Sequence, residues 1–257
     1  MFNTYVINLK KDRERWVRIY NHLKEHNIKP IRFNAIYGKK LKKKEYSEHI
    51  TKKCQIFCPD SVKGCGLSHI LLSKYLYNND KNEFALVLED DAFSKTKNLK
   101  KRINNIIKQV PKDWEIIMLY CQGKCDKTKQ YNRNKIVGGM VAYLINKKGQ
   151  KKISNLKLST HIDMQIYLLN HKKIKTYHYR NNLFDTPIDN ISNNKNNNSI
   201  YNIFDNIDIG LTHKPSFYCK FYLLKNPITK KNITFGEILL YCISFILIFS
   251  LLFIKYR

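Results

Sequence analysis

The chain has 257 residues, 43% of them hydrophobic, which is enough to bury one sizeable α/β core with an appendage and excludes a wholly disordered chain. Its 47 Lys and Arg against 20 Asp and Glu give a formal charge of +27. The lysines are spread along the sequence among abundant Asn, Ile, Tyr and Phe, the pattern of AT-rich coding, so the charge predicts attraction to nucleoside diphosphates and acidic lipid surfaces rather than a nucleic-acid-binding arm.

Thr4 to Leu9 is predicted to be a buried strand that starts almost at the N-terminus, with no basic region and apolar core of a signal peptide before it. Asp12 is placed to cap the next helix, on which Trp16, Ile19, Tyr20 and Leu23 form one apolar face. Pro30 to Ile36 gives a second strand, closed by Gly38, and Lys39 to Ile50 a basic, exposed stretch. The turn Gly64-Cys65-Gly66 opens a helix over Leu67 to Tyr77. Phe84 to Leu88 is a short, wholly apolar run, as in a strand buried on both faces. A helix over Leu99 to Val110, strands over Trp114 to Tyr120 and Val141 to Ile145, a helix over Gly149 to Leu156 and a strand over Ile174 to Tyr179 follow. This alternation predicts an α/β fold with a doubly wound, mostly parallel sheet over residues 1–188.

Residues 189–234 are an Asn-rich loop or linker with a membrane-proximal segment. Ile238 to Ile254 then carries 17 residues without a charge, flanked by Lys230 and Lys231 on one side and Lys255 and Arg257 on the other. Extended back to Phe235, it predicts a single transmembrane helix over 235–254. Its position predicts a tail anchor with the folded N-terminal domain in the cytosol. The N-glycosylation triplets at Asn190, Asn197 and Asn232 point the other way, but arise by chance in so Asn-rich a chain. Of 7 cysteines, Cys54 and Cys58 share a spacing that Cys121 and Cys125 repeat. That spacing is wider than the usual zinc pair, and an odd count favours mostly reduced thiols.

The chemistry concentrates in Glu89-Asp90-Asp91, three carboxylates at the C-terminal end of the buried strand, where open α/β sheets bind ligands. Alternation along the strand points Glu89 and Asp91 the same way, and two convergent hard oxygens suit Mg²⁺ or Mn²⁺ bridging a diphosphate. Three adjacent like charges otherwise repel. Arg13 or Arg15, at the start of the first helix, is placed to contact phosphate. Ser68 and His69 are candidate substrate contacts. Neighbours on a helix do not face each other, so they make no nucleophile–base pair and a hydrolase is excluded on that ground.

Taken together, Ile7-Asn8-Leu9 with Arg15, Arg32-Phe33-Asn34-Ala35 with Gly38, Gly64-Cys65 with Ser68-His69, Leu88-Glu89-Asp90-Asp91, Gly138-Gly139 with Tyr143, Ile145 and Gly149, and Asp163 resemble glycosyltransferase family 25 over residues 4 to 180. The chain departs from the family in having Ser61-Val62-Lys63 before Gly64, and in lacking a Pro before the late aspartate. The resemblance implies a GT-A fold and an inverting hexosyl transfer from a nucleotide sugar, UDP-linked, to a hydroxyl on a glycan, lipid-linked glycan or protein. It implies donor contacts from Asn8, Arg15, Ala35, Ser68, His69, Glu89 and Asp90, and Mn²⁺ or Mg²⁺ at Glu89 and Asp91. It also implies Asp163 as the base, with Asp185 and Asp189 as rivals. His178 or His213 is a candidate third metal ligand. The alternatives are an inactive sugar-binding relative and a membrane-tethered basic protein that binds nucleic acid.

Overall fold

The computed structural model describes residues 2–42, 46–94, 96–121, 129–133, 139–170, 173–186 and 222–255. It divides into two compact units, Met1–Gln55 with Asp60–Asn190, and Ile56–Pro59 with Ile191–Arg257. Up to residue 179 the described α-helices and strands are β1 (Asn3–Asn8), α1 (Arg13–Glu25), β2 (Pro30–Asn34), α2 (Lys52–Phe57), α3 (Asp60–Asn79), β3 (Phe84–Glu89), α4 (Leu99–Gln109), β4 (Ile116–Met118), β5 (Tyr131–Asn132), β6 (Ala142–Asn146), α5 (Lys147–Ser154), α6 (Ile162–Asn170) and β7 (Thr176–Tyr179).

The seven strands form one sheet in the order β2-β1-β3-β6-β4-β7-β5. β1 runs parallel to β2 and β3, and β4 parallel to β7. β6 is antiparallel to both of its neighbours, and β5 to β7. The sheet is thus mixed, with a mostly parallel body. Alternate side chains of its central strands face two layers, as the continuous apolar run of β3 requires. Val6, Leu86 and Leu88 pack with Ile19 and Leu23 of α1 and Leu99, Ile103 and Ile106 of α4. On the other face, the ring of Tyr5 meets that of Tyr75 on α3. Burial of each large apolar side chain contributes about 1.5–3 kcal/mol, which offsets the cost of gathering three carboxylates at the end of β3.

Several sequence expectations change. Gly64, Cys65 and Gly66 lie inside a helix, not in a turn, because α3 begins at Asp60. These glycines provide closeness rather than unusual dihedrals. A Cβ on Gly64 would stand 2.6 Å from the Ile36 carbonyl oxygen and 2.7 Å from the Gly38 nitrogen, and one on Gly66 2.4 Å from Leu158. Asp12 precedes α1 without capping it through its side chain. α6, between the predicted elements, carries Asp163 in its first turn. Cys54, Cys58 and Cys121 are disulfide-bonded, which corrects the expected reduced state and removes these thiols as zinc ligands; Cys65 and Cys242 are free. Cys125 lies outside the described residues, as do Gly138, Asp189, His213 and almost all of the Asn-rich segment.

In the second unit, β8 (Tyr222–Lys225) and β9 (Asn232–Thr234) form an antiparallel pair, and helix α7 spans Phe235–Lys255. A capping box starts α7. The Thr234 hydroxyl accepts from the Glu237 N–H at 3.1 Å, and Glu237 Oε2 accepts from the Thr234 N–H at 2.6 Å. Tyr241, Phe245, Ile246 and Ile248 of α7 are exposed. The side chains from residue 251 on are outside the described set. Among the described residues no helix is long and apolar enough to cross a membrane, so the predicted span is not shown by the structure.

Candidate active site

The site forms where β1, β2 and β3 end side by side. Asn8 closes β1 in register with Asn34 of β2, and Glu89 closes β3 in register with Ile7 of β1. The Ala35 N–H donates to the Asn8 carbonyl at 3.0 Å, which continues the ladder past β2. After Glu89 the chain leaves the strand in a turn, closed by the Ala92 N–H on the Glu89 carbonyl at 3.1 Å. The alternation assumed for Glu89 and Asp91 therefore ends at Glu89: Asp90 and Asp91 share Arg15, and Glu89 goes elsewhere.

Asp90 is buried and fully engaged: Oδ2 accepts from Asn8 Nδ2 at 2.6 Å and Oδ1 from Arg15 Nη2 at 2.7 Å. Burial pushes its carboxyl up, against the lowering effects of Arg15 and Asn8. Asp91 shares Arg15 through Oδ2 at 3.0 Å, but its Oδ1 is buried with no hydrogen-bond partner. Burial and then the Glu89 charge push the Asp91 carboxyl up to about 7, although Arg15 works in the opposite direction. Glu89 turns toward α3, where Oε1 lies 3.2 Å from His69 Nε2 and 4.0 Å from Cys65 Sγ. The other ring nitrogen of His69 lies 3.0 Å from the Tyr143 hydroxyl, and both His69 and Tyr143 are fully buried.

Among the predicted donor contacts, Asn8 is buried and is held at its amide oxygen by Arg32, which also donates to the Leu9 carbonyl at 3.1 Å. Arg32 is itself seated over the Trp16 ring. Ser68 is buried too. Its hydroxyl donates to the Gly64 carbonyl at 2.7 Å and accepts from the Ile36 N–H at 2.8 Å, so it ties α3 to the end of β2. Asp163 is half-buried. Its Oδ2 accepts from the N–H of Gly139, a left-handed residue with φ of 82°, at 2.9 Å, and its Oδ1 from the Met164 N–H at 2.8 Å. The carboxylate is close enough to act on Cys65. Burial among the site atoms, then the charges of Glu89, Asp163 and Asp91, push the Cys65 thiol well above its usual range, although the residue as a whole still meets solvent.

Asp185 is exposed and its side chain bonds the Thr186 N–H at 2.9 Å, while its backbone pairs with that of Phe93, two residues after Asp91. Burial pushes His178 down to about 4, so its ring is neutral, with Nδ1 on the Tyr179 carbonyl and Nε2 without a partner. It lines a small cavity with Asp163, Met118 and Met140, but does not join the group of mutually close ligand atoms formed by Cys65, His69 and Glu89. Sequence reasoning did not single out Arg32, Cys65 or Tyr143 for their contacts. The spacing of Cys65 and His69, one helical turn apart, was the available signal.

A model of glycosyltransferase family 25, described as a lipopolysaccharide biosynthesis family, matches residues 1–192. The chain belongs to glycosyltransferase family 25. The match bears out the family resemblance read from the sequence. No curated protein sequence matches the chain. Similar solved structures include a glycosyltransferase involved in the glycosylation of the major capsid of PBCV-1, at 10% identity and a TM-score of 0.36, with 66% of each chain covered. A Drosophila β-1,4-galactosyltransferase 7 variant in complex with manganese, UDP-galactose and xylobiose shows 9% identity and a TM-score of 0.39, over 74% of this chain and 72% of that one. Mouse xyloside xylosyltransferase 1 in its apo form shows 14% identity and a TM-score of 0.34, over 70% and 64%. The chain thus spans about two thirds of the length of the first of these.

Proposed function

We propose that this family 25 member transfers a hexosyl group, with inversion, from a nucleoside-diphosphate sugar to a hydroxyl of a glycan, a lipid-linked glycan or a protein. The observation that carries the reading is Asp91, a half-buried carboxylate whose buried Oδ1 has no partner and whose carboxyl is pushed up to about 7, beside Glu89 at the end of three parallel strands. A carboxylate left in that condition fits a divalent cation, which would relieve the repulsion from Glu89. Its hard oxygens suit Mn²⁺ or Mg²⁺, held by Asp91 and Glu89. When bound, the cation would neutralise charge on the leaving diphosphate.

The chain's own residues do the rest. Arg15, already paired with Asp90 and Asp91, presents its guanidinium to the phosphates. Asn8, fixed by Asp90 and Arg32, gives the donor pocket a rigid floor. Asp163, oriented by two backbone N–H groups, takes the proton of the acceptor hydroxyl as its oxygen bonds to the anomeric carbon. The bond from that carbon to the diphosphate oxygen breaks, and its electron pair leaves with the phosphate. Incubating the protein with a panel of nucleotide sugars, UDP-sugars first, with Mn²⁺ or with chelator, tests the reading. Cation-dependent release of a single nucleotide diphosphate is expected, and no release from any donor would contradict it.

The proposal includes a membrane anchor over residues 235–254, supported by the uncharged run from Ile238 and the exposed apolar side chains of α7. Disulfide bonding at Cys54, Cys58 and Cys121 favours an oxidising compartment for the catalytic domain over the cytosolic placement expected from the sequence. Glycan attachment at Asn197 in microsomes would support this, and digestion of the domain by protease added outside them would refute it.

A further inference from the structure

α3 is drawn tightly against the loop after β2 by Gly38 and Gly64, where no Cβ fits, and Gly66 brings it against Leu158. Within it, Cys65 and His69 stand four residues apart, so their side chains emerge on one face of the helix. That face meets the end of β3. Cys65 Sγ, His69 Nε2 and Glu89 Oε1 lie within 4.8 Å of one another, with His69 Nε2 and Glu89 Oε1 at 3.2 Å and Cys65 Sγ and Glu89 Oε1 at 4.0 Å. The transferase chemistry proposed above gives Cys65 no task.

The geometry points to a three-ligand site, Cys65 Sγ, His69 Nε2 and Glu89 Oε1, for a borderline-soft divalent cation of the zinc type, with water as the fourth ligand. Zinc bonds of about 2.3 Å to sulfur and about 2.0–2.2 Å to nitrogen and oxygen place tetrahedral ligands about 3.3–3.6 Å apart. The His69–Glu89 edge already has about that length, the Cys65–Glu89 edge must close by about 0.4 Å, and the Cys65–His69 edge, within 4.8 Å, by up to about 1.2 Å. A thiolate among the ligands separates this site from the Mn²⁺ or Mg²⁺ position at Asp91, since hard cations do not select sulfur. The support behind His69 is already built. The buried Tyr143 hydroxyl meets Nδ1 at 3.0 Å, which fixes the ring with Nε2 directed at Glu89, as the outer partners of metal-bound histidines do. On binding, the cation replaces the thiol proton of Cys65, which goes to water. Glu89 keeps a second oxygen for the cation at Asp91. The site stands on these contacts whether or not the transfer reaction is as proposed.

The test is titration of the chelator-stripped full-length chain, in mild detergent, with Co²⁺ and then Zn²⁺, followed by optical absorption and not by activity. One equivalent of Co²⁺ should give a tetrahedral spectrum with thiolate-to-cobalt charge transfer, displaced by Zn²⁺. Cys65→Ser should abolish the charge-transfer band, while Cys242→Ser and Asp91→Asn should keep it. Tyr143→Phe, which removes only the hydroxyl behind His69, should weaken binding by about tenfold to a hundredfold. A wild-type protein without a charge-transfer band, an equal band in Cys65→Ser, or loss of the band in Asp91→Asn would each overturn the proposal.

Discussion

Asp91→Asn should stabilise the cation-free protein at alkaline pH while disabling it. In the folded chain the Asp91 carboxyl is pushed from 3.8 to about 7, by burial first and the Glu89 charge second. Between those values the folded protein holds a proton that the unfolded chain has lost. Stability therefore falls as pH rises through this window and stays low above about 7. At about 1.4 kcal/mol per tenfold change in proton affinity, the ceiling on this destabilisation is about 4 kcal/mol. The side chain retains 18% of its accessibility, so solvent screening reduces the effect to about 1–2 kcal/mol. Asn is nearly isosteric and carries no charge. At about 2–4 °C per kcal/mol for a chain of this size, the variant should melt roughly 2–8 °C above wild type at pH 8 and above it by only about a third of that margin at pH 5. Thermal unfolding in chelator at the two pH values measures this. Added Mn²⁺ should close the gap at pH 8 by stabilising wild type alone. A variant that melts below wild type at pH 8, or a gap of the same size at pH 5, would refute the reasoning.

Asp163→Asn should keep the affinity for donor and lower turnover by about two orders of magnitude or more, the scale of a general base; steady-state kinetics decides, and lost donor affinity with retained turnover would make Asp163 a binding residue. Gly64→Ala should cost at least about 3 kcal/mol in chemical denaturation, because the new methyl meets the backbone of Ile36 and Gly38, which cannot swing aside. Removal of residues after Thr234 should abolish flotation with lipid vesicles and leave a soluble protein with unchanged transfer activity; an insoluble product would make α7 part of a core.

The strands were legible where burial dictated composition. Phe84 to Leu88 is apolar throughout because both faces of β3 are covered, and the carboxylates after it marked the site. The antiparallel course of β6 was not legible, because a fully buried strand has the same composition in either direction. Gly64-Cys65-Gly66 suggested a turn because glycine is judged by its dihedral freedom. Here a close approach between backbones required it inside a helix, and that difference hid the shared face of Cys65 and His69. The separation of roles among Glu89, Asp90 and Asp91 depends on where the strand ends and on partners 74 to 82 residues away in sequence, such as Tyr143 for His69 and Asn8 for Asp90. No local pattern encodes those pairings.

The central claim is that Asp91 holds a cation that the donor diphosphate requires. Calorimetric titration of UDP into the full-length protein, with Mn²⁺ and with chelator, tests it most directly. Wild type should bind UDP with Mn²⁺ and lose at least tenfold in affinity in chelator, and Asp91→Ala should bind equally weakly in both. Equal affinity of wild type with and without the cation, or Mn²⁺-dependent binding that survives in Asp91→Ala, would contradict the account.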